Sequence, residues 1–221
     1  GANSHKHMDV LNLGIEAYGF NMAPDLGYPE AADGAEKNIV WGQGTINHNT
    51  VMVNEQPHNR LPSNNVTGTT ERTNGNPLHF DDSGRVKVMD IDAPTLATNG
   101  TYADPSGIFR RTLVMIRVND EISYGVDFFR VKGGKTHTYN FHAMSDEIYE
   151  TEGLTFAQQT MGTYAGPDVA FGTLGYSNGF SWLYNVRRAV YPQTGEFSID
   201  FKIKDFRQLL KRPMDLHLRM T

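Results

Sequence analysis

The sequence of 221 residues contains no cysteine. This absence excludes disulfide bonds, thiol nucleophiles and cysteine-ligated zinc. Acidic residues outnumber basic ones, 25 against 20, so the formal net charge is −5. Nucleic acids and membrane surfaces attract basic surfaces, and the sequence therefore argues against either of them as the main partner.

Long apolar runs are also missing. The densest stretches are as short as Leu113–Ile116, whereas a membrane-spanning helix needs about 20 apolar residues. The sequence has no initiating methionine and no basic-then-apolar leader at its start. We therefore expect that the chain begins at a cut, made either by processing or at a cloning boundary.

What the sequence does have is alternation of apolar and polar residues with a period of two, which is typical of half-buried β-strands. In Val10–Phe20, for example, Leu11, Leu13 and Ile15 alternate with Asn, Gly and Glu. The same pattern predicts strands at Thr50–Asn54, Val86–Asp92, Arg111–Val118, Ile122–Val131, His137–Ala143, Ser181–Val190, Phe197–Lys204 and Leu216–Met220.

Turn-forming residues separate these strands. Gly133-Gly134 joins two of them and can take the positive φ angles of a tight hairpin. Only Asp205–Lys211 has helical character, and Pro213 ends it. This pattern predicts an all-β fold, an antiparallel two-sheet β-sandwich with few or no long helices. No domain boundary is evident, so we expect a single β-sandwich domain over residues 1–221.

Four residues near strand ends are candidate site residues. His5 and His7 precede the first strand and, in an extended segment, project from one face as two ligands or as one ligand beside one catalytic group. Asp25 lies in the turn that closes the first strand, and His48 lies at the start of another. Two imidazoles and a carboxylate suit Zn²⁺, with water or a fourth group completing the site. The alternative is that the histidines are solvated near a terminus and that Asp25 only caps a turn.

Two longer sets of residues give these candidates a context. They are His5–Asp9, Asp25 and His48–Val53 in the first set, and Arg110–Val114 and Asp127–His142 in the second. In their order and spacing, these segments resemble the heparinase II/III family of bacterial polysaccharide lyases. The resemblance spans roughly residues 4 to 143 and weakens afterwards.

Members of this family combine an N-terminal helical toroid with a C-terminal antiparallel β-sandwich, and the resemblance implies that this chain is the sandwich. It places His7, Asp25 and His48 on the zinc ligands of the family. It places His5 on a histidine that reaches the catalytic cleft, although the roles of His5 and His7 could be exchanged. The implied zinc ion is structural and braces loops beside the cleft.

The implied chemistry is β-elimination in an acidic polysaccharide, such as a heparin- or alginate-like glycan. A base removes the C5 proton of a uronate, and an acid protonates the leaving glycosidic oxygen. In the family a tyrosine of the toroid does both, so the isolated chain is expected to be inactive, with His5 contributing to the cleft. The upstream toroid is the expected partner domain, and a periplasmic or secreted location is expected because the enzyme must meet its glycan.

Two other classes of protein remain open. One is a non-catalytic carbohydrate-binding β-sandwich with a structural metal, and the other is an interaction module whose histidines bind nothing. Arg110-Arg111 and Arg187-Arg188 could meet an anionic glycan, because guanidinium pairs bidentately with carboxylate or sulfate. The sequence favours solvated strand ends, or pairing with acidic residues, for both. Trp182, between Phe180 and Leu183, is expected to pack in the core.

Overall fold

The structure is a computed structural model that describes residues 7–25, 36–58, 75–93, 106–146, 148–191 and 195–221. Strands dominate it, and every strand pair in this part of the chain is antiparallel. The helical segments are short: a π-helix at Lys37–Gly42 and 3-10 helices at Thr45–Asn47 and Phe180–Trp182. The predicted all-β, sandwich-like fold without long helices is confirmed.

The contacts within the chain divide it into two compact units. The first comprises Gly1–Asn12, Gln43–Thr45 and Thr50–Asn140, and the second comprises Leu13–Gly42, Ile46–Asn49 and Phe141–Thr221. The single domain expected from the sequence stays a prediction.

The first unit contains a four-stranded sheet in the order β4-β5-β6-β7 and a smaller pair, β3-β8. Strand β6 is one of the two inner strands, and it lies with Phe109 opposite Val131 and Arg111 opposite Phe129 of β7. The bounds are β3 (Val51–Val53), β4 (Asn76–Asp81), β5 (Val86–Asp92), β6 (Ile108–Arg117), β7 (Ser123–Lys132) and β8 (His137–Tyr139).

The core of the first unit joins these two sheets. Val51 and Val53 of β3 are buried in one cluster with Phe109 of β6, and Phe129 and Val131 of β7 pack against that cluster. The rings of Phe109 and Phe129 meet edge to face, with 5.0 Å between their centroids. Side chains from two sheet faces thus fill one apolar layer, as in a small β-sandwich.

The Gly133-Gly134 turn carries the chain from one of these sheets to the other. Both glycines have positive φ, 115° and 76°, as predicted, but β7 pairs with β6 and β8 pairs with β3. The predicted hairpin is therefore wrong in its pairing. A Cβ atom at Gly134 would lie 2.3 Å from Val53 Cγ1, so the turn closes directly onto β3.

The second unit contains a three-stranded sheet in the order β13-β12-β9 and the pairs β1-β2 and β10-β11. Its core contains Phe20 and Met22 of β2 together with Ile203 and Leu216. The bounds are β1 (Ile15–Ala17), β2 (Phe20–Ala23), β9 (Ile148–Glu152), β10 (Ala157–Gln158), β11 (Arg187–Arg188), β12 (Ser198–Lys202) and β13 (His217–Met220).

Three predicted elements differ from the structure. In place of the predicted strand Ser181–Val190, the chain forms the 3-10 helix Phe180–Trp182 and the two-residue strand β11. The predicted strand Val10–Phe20 is interrupted because Leu11 and Tyr18 both take φ of 57°, and only β1 remains of it before the turn into β2. Asp205–Lys211 is not a helix. The carboxylate of Asp205 accepts hydrogen bonds from the backbone N–H groups of Leu209 and Leu210, at 2.9 and 2.8 Å, and thus stabilises a turn instead.

Candidate metal centre

His7 and Asp9 flank a residue whose backbone is bonded on both sides. The N–H of Met8 donates to the carbonyl of Gln43 at 2.8 Å, and its carbonyl accepts from the hydroxyl of Thr45 at 2.7 Å. Met8 itself is buried. These bonds fix the backbone between the two side chains, so His7 and Asp9 are held in place although their segment is neither helix nor strand.

His48 follows the 3-10 helix Thr45–Asn47 and is buried. The residue after it, Asn49, makes two hydrogen bonds to the backbone of Leu13. The side-chain amide of Asn49 donates to the Leu13 carbonyl at 2.8 Å, and the backbone carbonyl of Asn49 accepts from the Leu13 N–H at 3.2 Å. Its side-chain oxygen also accepts from the N–H of His142 at 2.6 Å. The backbone beside His48 is therefore anchored by polar bonds.

Asp25 comes shortly after β2, whose Phe20 and Met22 are in the core. Its side chain is 39% exposed, and its Oδ2 lies 3.5 Å from Nε2 of His48. That distance is long for a direct hydrogen bond. It is close to the ligand-to-ligand edge of about 3.4 Å that follows from zinc bonds of about 2.1 Å in a tetrahedron.

The structure brings together the side chains that the sequence put forward and adds one. His7, Asp9, Asp25 and His48 each offer a ligand atom, and these four atoms all lie within 4.8 Å of one another. His5 lies outside the described residues. Asp9 was missed, although its position two residues after His7 places both side chains on one face of an extended segment.

The chemistry of this set suits a metal ion. It offers two imidazole nitrogens and two carboxylate oxygens, which are the donors that zinc accepts in sites without cysteine. His48 is buried and Asp25 is exposed, so the group has a protein-facing side and a solvent-facing side. This His/Asp group could hold a metal ion. Ligation by each individual residue and the identity of the metal remain predictions.

A further histidine lies beside this group and has a structural role. Nε2 of His142 is 2.6 Å from the carbonyl oxygen of Ile46, and the ring meets Trp41 edge to face at 6.3 Å between centroids. Burial lowers the pKa of His142, and the proximity of His48 lowers it further. The ring is therefore neutral at pH 7 and supports the backbone just before His48.

His58 was not singled out from the sequence, and it is also structural. Its Nδ1 accepts from the N–H of Val10 at 3.2 Å, so the proton is on Nε2, which donates to the carbonyl of Val51 at 2.9 Å. It contacts the ring of Phe109 edge to face. A buried histidine with both nitrogens bonded to backbone is fixed in one tautomer. Its burial beside Phe109 could not be read from its loop sequence.

Comparison with known proteins identifies the family of the chain. Residues 1–210 match the family described as heparinase II/III-like, C-terminal. The chain belongs to this family, and the resemblance seen in the sequence is confirmed. Searches among curated proteins and among solved structures gave no match. Within the described ranges, no helix combines the length and apolar character needed to cross a bilayer.

Proposed function

We propose that this chain is the zinc-binding β-sandwich of a lyase that cleaves a uronic-acid-containing polysaccharide by β-elimination. The observation that carries the proposal is the grouping of His7, Asp9, Asp25 and His48, with ligand atoms within 4.8 Å of one another, in a chain that belongs to the heparinase II/III-like family. The fold class alone would not support it, because one fold hosts many functions.

The proposed role of the ion is structural. Bound zinc would supply a fixed positive charge that joins side chains from distant parts of the sequence, 41 residues apart for His7 and His48. The chain's own part is to present the donors. The backbone bonds at Met8 and Asn49 orient the neighbouring imidazoles, as outer contacts commonly do around metal ligands.

The base and acid of the elimination would come from an upstream helical toroid of the same protein. The uronate C5 proton is weakly acidic, so its removal requires a positioned base and stabilisation of the negative charge that develops on the carboxylate. His5 would assist in the cleft, since an imidazole exchanges protons near neutral pH. We therefore expect the isolated chain to lack lyase activity, and we propose a periplasmic or secreted location.

Zinc binding by the purified chain tests the metal part. We expect a single zinc ion to remain after dialysis, and we expect added zinc to raise the melting temperature because a ligand that binds only the folded state stabilises it. Asp25→Asn should weaken zinc binding in calorimetric titration by roughly tenfold or more, since it removes one donor oxygen. Asp82→Asn changes another exposed aspartate and should bind zinc like the wild type.

Two results would overturn the metal part: no stoichiometric zinc together with a melting temperature that chelators do not change, or an Asp25→Asn variant that binds as tightly as the wild type. The reaction itself is tested with the longer gene product and acidic glycans. Formation of the unsaturated uronate is followed by its ultraviolet absorbance. Failure of that product to cleave any uronate-containing glycan would overturn the lyase assignment.

A further inference from the structure

A second region of the chain carries features of a ligand surface. We call it the aromatic ribbon: residues 156–164 and 182–188, together with Phe171, whose ring packs against them. Strands β10 and β11 pair within it, with Ala157 opposite Arg188. The pairing continues through a hydrogen bond from the N–H of Tyr164 to the carbonyl of Leu183, at 2.8 Å. The ribbon lies entirely within the second unit, and both residues of β11 are exposed.

The two arginines of β11 lie over aromatic rings. Cζ of Arg188 is 4.6 Å from the ring centroid of Tyr164, and Cζ of Arg187 is 5.8 Å from that of Phe156. A third cation, Nζ of Lys37, lies 5.6 Å from the ring of Trp182. Three cation–aromatic pairs in one region exceed the usual frequency of about one per 70–80 residues.

These arginines are held without acidic partners. Among the described residues, no carboxylate lies within ion-pair distance of Arg187 or Arg188. Arg188 makes one long hydrogen bond, 3.4 Å, to the carbonyl of Tyr164. Stacking occupies the flat face of a guanidinium and leaves its edge of N–H donors available, and that edge matches a carboxylate or sulfate.

Exposed aromatic rings lie at the other end of the ribbon. Phe171 and Tyr184 are 56% and 70% exposed, and their ring centroids are 5.2 Å apart. Phe171 also meets Trp182 at 5.3 Å, beside Gly172, where a Cβ atom would come within 3.2 Å of the Trp182 ring. Trp182 is only half-buried, so the expectation that it packs in the core is only partly correct. Large exposed apolar groups of this kind mark ligand or partner sites.

We propose that the aromatic ribbon binds an acidic oligosaccharide. Arg187 and Arg188 contact its carboxylate or sulfate groups, and Phe171 and Tyr184 stack on the apolar faces of its sugar rings. Tyr184 and Arg188 are four positions apart, so at most about 13 Å of chain separates them. The proposal rests on the proposed function for the choice of an acidic glycan as the ligand.

Direct binding to the purified chain tests this proposal. The probes are an alginate oligosaccharide, which carries carboxylates only, a heparin oligosaccharide, which adds sulfates, a neutral cello-oligosaccharide and single-stranded DNA. We expect calorimetry to show binding of at least one acidic oligosaccharide that weakens with added salt, as screened charges require. The alginate and heparin arms then tell which acidic group is recognised.

The double variant Arg187→Gln/Arg188→Gln should reduce this affinity roughly tenfold or more, because two charge-assisted contacts are removed. Tyr184→Ala should reduce it as well. Arg117→Gln is the matched control, since Arg117 is an exposed arginine that already pairs with Asp120, and it should bind like the wild type. Unchanged circular dichroism and melting temperature establish that the double variant is folded.

The proposal is overturned if neither acidic oligosaccharide binds, if the neutral glycan or the DNA binds as tightly, or if the folded double variant binds like the wild type. Chelator-treated protein should bind the oligosaccharide unchanged, because no ribbon residue belongs to the candidate metal centre. A chain that binds zinc but no glycan therefore contradicts only the ribbon. A longer gene product without lyase activity contradicts only the proposed function.

Discussion

The dipeptide Arg-Arg occurs twice on strands of this chain, with opposite surroundings. Arg110 bonds Asp90, and Arg111, 3% exposed, bonds Asp127, the hydroxyl of Tyr139 and the carbonyl of Leu11. Arg187 and Arg188 instead lie exposed over aromatic rings. The first pair is used by the fold, and the second is the pair proposed to bind an acidic glycan.

Sheet register explains the difference. Asp90 of β5 is opposite Thr112 of β6, and it is therefore a diagonal neighbour of Arg110. In the same way, Asp127 of β7 is opposite Leu113 of β6, and it is a diagonal neighbour of Arg111. Diagonal neighbours on one face are within reach of long side chains. The partner of β11 is Ala157–Gln158, which offers no acid. From the sequence we made the same prediction for both arginine pairs. Their different partners could not be predicted, because the residues opposite an arginine on a neighbouring strand lie far from it in the sequence.

The largest expected effect comes from removing the buried arginine. Arg111→Ala removes a buried guanidinium, so the carbonyl of Leu11 loses its donor and the partly exposed Asp127 keeps only the hydroxyl of Tyr139. Losing these bonds should cost about 3 kcal/mol. Urea unfolding measures the loss. Arg187→Ala, at an exposed position, should change the free energy of unfolding by less than about 0.5 kcal/mol. Similar losses in the two variants would contradict the comparison.

An intermediate effect is expected at Asp90. Hydrogen bonding by Arg110, with a further bond from Thr112, lowers the pKa of Asp90 to about 2. A carboxylate whose pKa falls on folding stabilises the protein above its unfolded pKa, near 4, and that contribution disappears as the pH falls towards 2. It amounts to about 2 kcal/mol at pH 7.

Urea unfolding of wild type and Asp90→Asn at pH 7, 4 and 3 measures this contribution. The difference between them should be constant down to about pH 4 and shrink below it. Asp82→Asn should show no such trend. If the stability difference between the wild type and Asp90→Asn does not change with pH, the charge of Asp90 does not contribute to the free energy of unfolding.

The smallest effect is expected at a more exposed diagonal pair in the second unit. Nδ1 of His217 lies 2.5 Å from Oδ1 of Asp200, and this bond, with the charges of Asp200 and Asp215, raises the pKa of His217. Such a pair stabilises the protein below pH 6.5, and the contribution is lost as the pH rises through the raised pKa.

Asp200→Asn should therefore lower the free energy of unfolding by less than about 1 kcal/mol at pH 6 and by almost nothing at pH 9. Thermal unfolding at the two pH values measures this. Asp146→Asn alters an exposed aspartate elsewhere, paired with Lys204, and should not show the same pH dependence. An Asp200→Asn effect that grows with pH would contradict the assigned direction.

Much of the fold could be predicted because β5, β6 and β7 show plain alternation over long runs. The predicted Arg111–Val118 and Ile122–Val131 overlap β6 and β7 closely. The short elements could not be predicted. Leucine and tyrosine rarely adopt a positive φ, so the interruptions at Leu11 and Tyr18 could not be predicted from the residue types. Strand β4 was not predicted because turn-forming residues lie at both of its ends.

The candidate metal centre was predicted through the family resemblance more than through spacing. His7, Asp25 and His48 are far apart in the sequence, and no periodicity relates them. What brings the segments into place is backbone bonding, such as that of Met8 to Gln43, which any residue type can make. Asp9 was missed because an aspartate beside a strand start is also a common turn residue.

The Gly133-Gly134 turn has a consequence for mutational tolerance. Gly134 is not one of the four candidate ligands, but any Cβ atom added there would clash with Val53. The residues that follow Gly134, Lys135 and Thr136, donate backbone hydrogen bonds to the side chain of Asn54. The Val53 side chain of β3 would have to shift, and the positive φ of Gly134 is itself unfavourable for any other residue. In a saturation library selected for folded protein, position 134 should therefore be depleted of substitutions.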